Sequence, residues 1–265
     1  MISLIAGSLV AGLMAGVVAG MFGVGGGIIL VPALLLLFHL QGVSEIIIMQ
    51  MAVATSMATI ILTNLSATWH HHKRGVVQWS TAGRILPGIL LGAWAGAWLA
   101  TMLEGSLLKL MFAIFVMLVG LKMIQAQKDV PADAPTLPQL TQPVFGLLIG
   151  VPSSLFGIGG GSLSVPILSL FFATPVRQAV ATSSAMGLGL AISATVGFIQ
   201  AGATLTSAPS WSWGYLAWPA LLGISCGTLI TTPLGVKLAH GLDPVKLKRG
   251  FGIFLLLVGG KLIVG

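Results

Sequence analysis

The sequence predicts an all-α polytopic membrane protein with two inverted-topology repeats, each of five apolar segments that include a Gly-broken helix pair. Composition is the first observation behind this fold class: 56% of residues are hydrophobic, 6% are charged, and the mean hydropathy is +1.06. Soluble domains are about 45–50% apolar and about 25% charged. The second observation is a glycine-rich stretch that occurs twice, and the third is an uneven distribution of Lys and Arg among the loops.

The duplicated stretch reads Phe-Gly-x-Gly-Gly-Gly-x-x-x-x-Pro. It occupies residues 22–32 and returns at residues 156–166. Each Gly costs a helix about 1 kcal/mol relative to Ala, so four glycines among five residues predict a broken helix. Irregular backbone at membrane depth is tolerated only against protein or a water-filled cavity, and symmetric broken helices indicate a transporter's binding site.

The apolar segments divide the chain into two similar halves. The second segment of the first half spans only about 20 Å, short for a hydrocarbon core of about 30 Å. The sequence leaves open whether the first two segments of each half span fully or form a re-entrant hairpin. We predict a first repeat at 1–125, a cytoplasmic linker at 126–142 and a second repeat at 143–265. The segments are 2–21, 28–40, 46–67, 85–103 and 107–124, then 144–155, 162–172, 179–200, 215–239 and 247–264.

The segment count predicts that the halves are inverted. Each half crosses the membrane five times, or three times with a re-entrant hairpin, and both numbers are odd. The charges agree, because the loop at residues 70–74 is basic, whereas its counterpart at residues 201–213 carries no charge. With basic loops inside, ten of the twelve Lys and Arg are cytoplasmic and both termini are extracytoplasmic. Other short matches support the repeat, among them Pro87 with Pro219.

The glycine stretches are the candidate substrate site. Each precedes a new helix, whose first free N–H groups and aligned peptide dipoles attract an anion without a formal charge. Close helix packing through small residues is the alternative explanation of these glycines. The predicted substrate-binding residues in these stretches are Gly25, Gly26, Gly27, Ile28, Gly159, Gly160, Gly161 and Ser162.

Hydroxyl groups in the third segment of each half complete the candidate site. They belong to Thr55 and Ser56 and, at matching places, to Thr182 and Ser183. A hydroxyl in a membrane helix often bonds only a carbonyl of its own helix, and that alternative stays open for each of them. We interpret other polar side chains as interfacial or interhelical rather than as substrate contacts, namely Gln50, Asn64, Gln178 and Gln200.

Other functional classes fit less well. The G-x-G patterns follow no strand and lack a P-loop ending, so we expect no bound nucleotide. The Lys and Arg residues form no basic face, so we expect no nucleic acid either. Consecutive histidines at 70–72 point about 100° apart on a helix, so we expect no metal there. All five Asp and Glu lie at segment ends or in loops, and HExxH and GxSxG motifs are absent. We therefore expect neither an enzyme nor a cofactor.

Several motifs together resemble the sulfite exporter TauE/SafE family. The resemblance covers nearly the whole chain and implies a bacterial-type transporter of the inner, cytoplasmic membrane for sulfur-containing anions such as sulfite or organosulfonates. The second half lacks an equivalent of the basic loop, as inversion requires. The resemblance rests on the duplicated glycine stretch, on the Ala-Thr-Ser at 54–56 and 181–183, and on residues 73–79 with Pro87 and Gly92.

The predicted function is therefore alternating-access transport of a small oxyanion, most simply sulfite or an organosulfonate. Export is favoured, because an inside-negative potential drives an anion outward and no mid-segment carboxylate is present to couple import to protons. An importer coupled to protons or Na⁺ and an anion channel remain alternatives. The expected partners are the anion and the lipid bilayer, and the sequence leaves a homodimer open.

Overall fold

A computed structural model describes residues 2–22, 26–125, 138–205, 208–241 and 244–264. Within these ranges the chain is almost entirely helical, which confirms the predicted all-α class. The elements are α1 (Ile2–Phe22), α2 (Gly27–Leu40), α3 (Ile48–Lys73), α4 (Trp79–Met102), α5 (Gly105–Ile124), a 3₁₀ turn (Gln139–Thr141), α6 (Gln142–Leu155), α7 (Gly161–Phe171), α8 (Val176–Ala201), β1 (Ser212–Trp213), β2 (Leu216–Ala217), α9 (Trp218–Gly241) and α10 (Pro244–Val264).

Helix lengths separate the candidate spans from the broken pairs. By length and composition, α3, α4, α5 and α8 can each cross a membrane, judged on the described residues. In contrast, α2 has 14 residues and α7 has 11, or about 21 and 17 Å at 1.5 Å per residue. Both are shorter than a hydrocarbon core of about 30 Å. Both helices that follow the glycine stretches are thus short, and so is α6, which has 14 residues and precedes the second stretch.

Two predicted boundaries are wrong because the helices continue beyond their apolar cores. The basic residues 70–73 form the last turn of α3 rather than a loop, and α4 begins at Trp79 rather than near residue 85. With 26 residues, α3 is about 39 Å long and exceeds the hydrocarbon thickness. Its basic last turn can therefore extend to the interface, where cations also interact favourably with the helix C-terminus.

The connection between α8 and α9 contains a hairpin that the sequence analysis missed. β1 pairs antiparallel with β2 across a turn at Gly214, whose φ of 57° is accessible to glycine. As a result α9 begins at Trp218, three residues later than expected. Burial raises the pKa of the Tyr215 phenol above its ordinary value.

Each half packs chiefly against the other half. α1 lies along α9 and α6 lies along α4, so the first helix of each half contacts the fourth helix of the other. Small residues allow these contacts: Gly12 meets the backbone of Ile224, and Gly96 meets the backbone of Val151. This confirms the packing role expected for such small-residue patterns.

The directions of the helices fit the predicted inversion. Gly120 of α5 packs on Gly252 of α10, while Gly259, further along α10, packs on Met117, which lies earlier on α5. These two corresponding helices are therefore antiparallel, as an inverted repeat requires. The orientation of the halves in a membrane and the domain boundaries given above stay predictions.

The packing corrects one register between the halves. Gly88 of α4 meets backbone atoms of Pro143 and Leu147, and Gly227 of α9 meets those of Leu9 and Leu13. These pairs match under the offset of the glycine stretches, so Gly88 and Gly227 are the equivalent residues. Pro87 then corresponds to Cys226, and the predicted match of Pro87 with Pro219 is wrong. Close contact between backbones requires glycine at these positions. Glycine is therefore a stricter marker of equivalent residues in the two halves than proline is.

Candidate functional site

The two glycine stretches end in the same backbone conformation. Gly26 precedes α2 with φ of 74°, and Gly160 precedes α7 with φ of 76°, both left-handed values that favour glycine. The Gly26 carbonyl accepts the first bonds of α2, and the Gly160 carbonyl accepts those of α7. The amide N–H groups of the first turn beyond these caps have no intrahelical acceptor.

These first-turn residues are the predicted ones. They are Gly27 and Ile28 on α2, and Gly161 and Ser162 on α7. Two helix starts with free N–H groups and the positive ends of their dipoles thus follow equivalent glycines. Gly25, also predicted, lies outside the described residues.

The structure brings the two glycine stretches into contact. A methyl group on Gly27 would overlap the carbonyl oxygen of Gly157 and would lie 3.0 Å from Cα of Ile158 and 3.1 Å from Cδ1 of Ile60. Ser56 donates its hydroxyl hydrogen to the same Gly157 carbonyl at 2.8 Å. Close packing therefore accounts for Gly27, and the start of α2 is held against the loop that leads into α7.

One face of α3 lines the second glycine stretch. A Cβ on Gly157 would lie 3.2 Å from Cα of Val53, and one on Gly159 would lie 2.9 Å from Cγ2 of Ile60 and 3.5 Å from Nδ2 of Asn64. Together with Ser56, these residues recur at helical spacing. The sequence analysis identified Ser56 on this face but interpreted Asn64 as interfacial or interhelical.

The predicted threonines bond backbone groups of the opposite half. Thr55 Oγ1 accepts the N–H of Ala217 at 3.1 Å, and Thr182 Oγ1 accepts the N–H of Gln78 at 3.0 Å. Each threonine therefore accepts a hydrogen bond from the residue directly before the fourth helix of the opposite half. That helix is α9 for Thr55 and α4 for Thr182. Both threonines are fully buried. Because an accepting hydroxyl keeps its own hydrogen, each threonine still has one donor to offer.

The hydroxyl groups of Ser183 and Ser162 differ in their hydrogen bonding. Ser183 donates to the Val180 carbonyl of its own helix at 2.9 Å, which is the local alternative noted above. The buried Ser162 hydroxyl oxygen, at the second position of α7, has no hydrogen-bond partner among the described residues. An unpaired hydroxyl beside free N–H groups is suited to hold a ligand oxygen.

The two helix starts differ in exposure. Gly27 and Ile28 at the start of α2 are buried, whereas Gly161 and Ser162 at the start of α7 are half-buried. The second-half site is thus the more accessible of the two in this conformation.

The histidines at the end of α3 have separate partners. His70 Nδ1 lies 2.8 Å from the Ser66 carbonyl oxygen, and His72 Nδ1 accepts the indole N–H of Trp79 at 3.2 Å. Across the part of the chain that the structure describes, no three His, Cys, Asp or Glu side chains gather into a metal-binding group.

Comparison with known proteins gives the family. The family model described as "Sulfite exporter TauE/SafE" matches residues 8–262. A "Probable membrane transporter protein" of Haemophilus influenzae is 34% identical over 94% of both chains. The Bacillus subtilis "Probable membrane transporter protein YunE" is 28% identical over 96% of both, and "Probable membrane transporter protein MJ0441" of Methanocaldococcus jannaschii is 25% identical over 94% of both. No solved structure matches.

These relatives are named as membrane transporters and not as enzymes. The match to the family spans both glycine stretches and all ten helices described above. The chain is a multi-pass transmembrane transporter that belongs to the sulfite exporter TauE/SafE family.

Proposed function

We propose that this protein carries a small sulfur oxyanion, sulfite or an organosulfonate, across the cytoplasmic membrane by alternating access. The observation that carries the proposal is the pair of equivalent helix starts behind Gly26 and Gly160. Both offer backbone N–H groups, and the loop before α7 contacts the start of α2. The anion is held at these N-termini by hydrogen bonds and helix dipoles rather than by a cationic side chain.

The chemistry of the surrounding side chains supports an anion. Thr55 and Thr182 keep a hydroxyl hydrogen free to donate, and Ser162 has no partner among the residues described. The two acidic residues in the described ranges, Glu45 and Glu104, lie between helices rather than within them. An oxyanion therefore meets donors here, and no described helix carries a carboxylate to repel it.

The unequal exposure of the two helix starts supports a carrier over an open channel. A channel offers a continuous path, whereas α2 begins among buried residues and α7 begins at half-buried ones. In a carrier built from inverted repeats, exchange of the two environments moves the site from one side to the other. Ser56 and Gly27 both contact Gly157 of the other half. Such an exchange must break these contacts.

The family name supports sulfite as the first substrate to test. Export follows from the energetics, because an inside-negative potential moves an anion outward at about 2.3 kcal/mol per charge per 100 mV. The proposed orientation has both termini extracytoplasmic and the basic end of α3 at the cytoplasmic face.

A stabilisation screen of the purified protein tests the substrate class. Sulfite, sulfoacetate and thiosulfate are each titrated while the melting temperature is recorded, with sodium chloride at equal ionic strength as the control. We expect a saturable increase with sulfite or a sulfonate, because a ligand that binds only the folded state stabilises it. An increase with carboxylates or simple cations alone would contradict the proposal.

A further inference from the structure

Four amide side chains were expected to be interfacial or interhelical, and three of them bond residues far away in the sequence. Gln50 Nε2 donates to the Leu103 carbonyl at 2.9 Å. Gln178 Oε1 accepts from Gln78, and Gln200 Oε1 accepts from Trp94. Asn64 differs, because its buried amide nitrogen, Nδ2, has no hydrogen-bond partner within the described ranges, whereas the unpaired buried atom of Gln50 is the acceptor Oε1.

The position of Asn64 is central to the candidate site. The side chain is only 6% exposed. Its Nδ2 lies 3.5 Å from where a Cβ on Gly159 would be, next to Gly160, which caps α7. The unpaired amide nitrogen therefore faces the loop that ends at the free N–H groups of α7.

Glycine at position 187 lets α8 pack directly against this amide. A Cβ on Gly187 of α8 would lie 2.6 Å from Nδ2 of Asn64 and 2.5 Å from the carbonyl oxygen of Gly159. Any other residue would press on the amide, so α8 approaches the donor closely without supplying it with a hydrogen-bond partner. One turn further along α3, the buried hydroxyl of Thr68 is also unpaired in the described part of the chain.

A buried donor without a partner is costly. Leaving it unsatisfied costs about 1–3 kcal/mol, so most buried polar groups in native proteins are paired. An isosteric apolar side chain would avoid that cost at no loss of packing. A ligand that accepts the hydrogen bond during the transport cycle explains why an amide is present.

We propose that Asn64 Nδ2 donates a hydrogen bond to an oxygen of the transported oxyanion while the free N–H groups of α7 hold the same anion. This inference rests on the proposed function and adds a side chain to a site otherwise made of backbone. Asparagine suits the role because its amide donates without a charge, whereas an ionised aspartate can only accept.

Sulfite titration of variants tests the assignment. The variants are Asn64→Leu, Asn64→Asp and, as a control, Gln50→Leu, which removes an amide whose nitrogen is paired, on the same helix about 21 Å away along its axis. Without sulfite, we expect Asn64→Leu to melt at or above the wild-type temperature, because an unpaired donor is removed. Gln50→Leu should melt lower, because the Leu103 carbonyl loses its donor.

Sulfite affinity separates the two roles. We expect Asn64→Leu to bind sulfite about tenfold or more weakly, as loss of a hydrogen bond to a charged group predicts, and Gln50→Leu to keep wild-type affinity. Asn64→Asp, equal in size, should also bind weakly through repulsion, and it serves if the Leu variant does not fold. Wild-type affinity in an Asn64 variant would overturn the assignment. If wild type itself binds no sulfur oxyanion, the proposed function fails first.

Discussion

The starts of α2 and α7 share a backbone conformation but not an environment. Gly26 and Gly160 have nearly equal φ values, 74° and 76°, because each must turn the chain into a new helix. Beyond them, Gly27 is buried against the Gly157 carbonyl, whereas Gly161 is half-buried. The two helix starts thus share a backbone conformation and differ in burial in this conformation of the protein.

Adding a methyl group should distinguish the two starts most strongly. Gly27→Ala should destabilise the protein by about 3 kcal/mol or more, because the methyl overlaps the Gly157 carbonyl in a rigid contact. Gly160→Ala should cost about 1–2 kcal/mol, the penalty of left-handed backbone. Its new methyl would lie 3.1 Å from Cδ1 of Leu190, the end of a flexible side chain.

Thermal melting in detergent measures both changes. Gly83→Ala on α4 is the matched control, since a Cβ there meets nothing within 4 Å. The control should gain up to about 1 kcal/mol through helix propensity. Equal losses of stability from Gly27→Ala and Gly160→Ala would contradict a rigid contact that is present at the start of α2 and not at the start of α7.

The paired threonines give a smaller and more symmetric effect. Thr55→Val and Thr182→Val preserve shape but remove the acceptors for the N–H groups of Ala217 and Gln78. Each should cost about 1–2 kcal/mol, because a buried N–H is left unpaired. The cost should be larger at Thr55, whose partner is buried while Gln78 is half-buried. Melting temperatures that match wild type would show that these two hydrogen bonds do not stabilise the fold.

Cysteine reactivity tests the difference in exposure without a change in stability. In a Cys226→Ser background, Gly161→Cys should react with a small water-soluble maleimide faster than Ile28→Cys, since Gly161 is half-buried and Ile28 is only 2% exposed. Equal rates would mean that the protein in solution samples both environments equally. Saturating sulfite should slow the reaction at Gly161→Cys, because the proposed anion occupies that helix start.

The helices and the breaks between them could be predicted because they rest on local properties. Hydropathy located the ten helices that the structure describes, and the glycines located the starts of α2 and α7. Hydropathy missed the extension of α3 to Lys73, because a helix can continue into water. It also missed the hairpin around Gly214, since pairing of two-residue strands depends on tertiary contacts.

The role of the candidate side chains depends on the opposite half and therefore could not be inferred from spacing. The bond from Gln78 to Thr182 joins residues 104 positions apart. The lack of a partner at Asn64 depends on where Gly159 and Gly187 lie around it. The helical spacing of Ser56, Ile60 and Asn64 was the one available signal, and it becomes informative once α3 is known to face the glycine stretch.

The most direct measurement of the central claim is electrogenic flux of labelled sulfite in liposomes that contain the purified protein. A potassium-diffusion potential sets the sign of the voltage, and protein-free liposomes give the background. The account predicts saturable flux that accelerates towards the positive compartment, because the potential supplies about 2.3 kcal/mol per charge per 100 mV. Absence of flux above background with sulfite and with sulfoacetate, or concentrative movement towards the negative compartment that requires a proton or Na⁺ gradient, would contradict it.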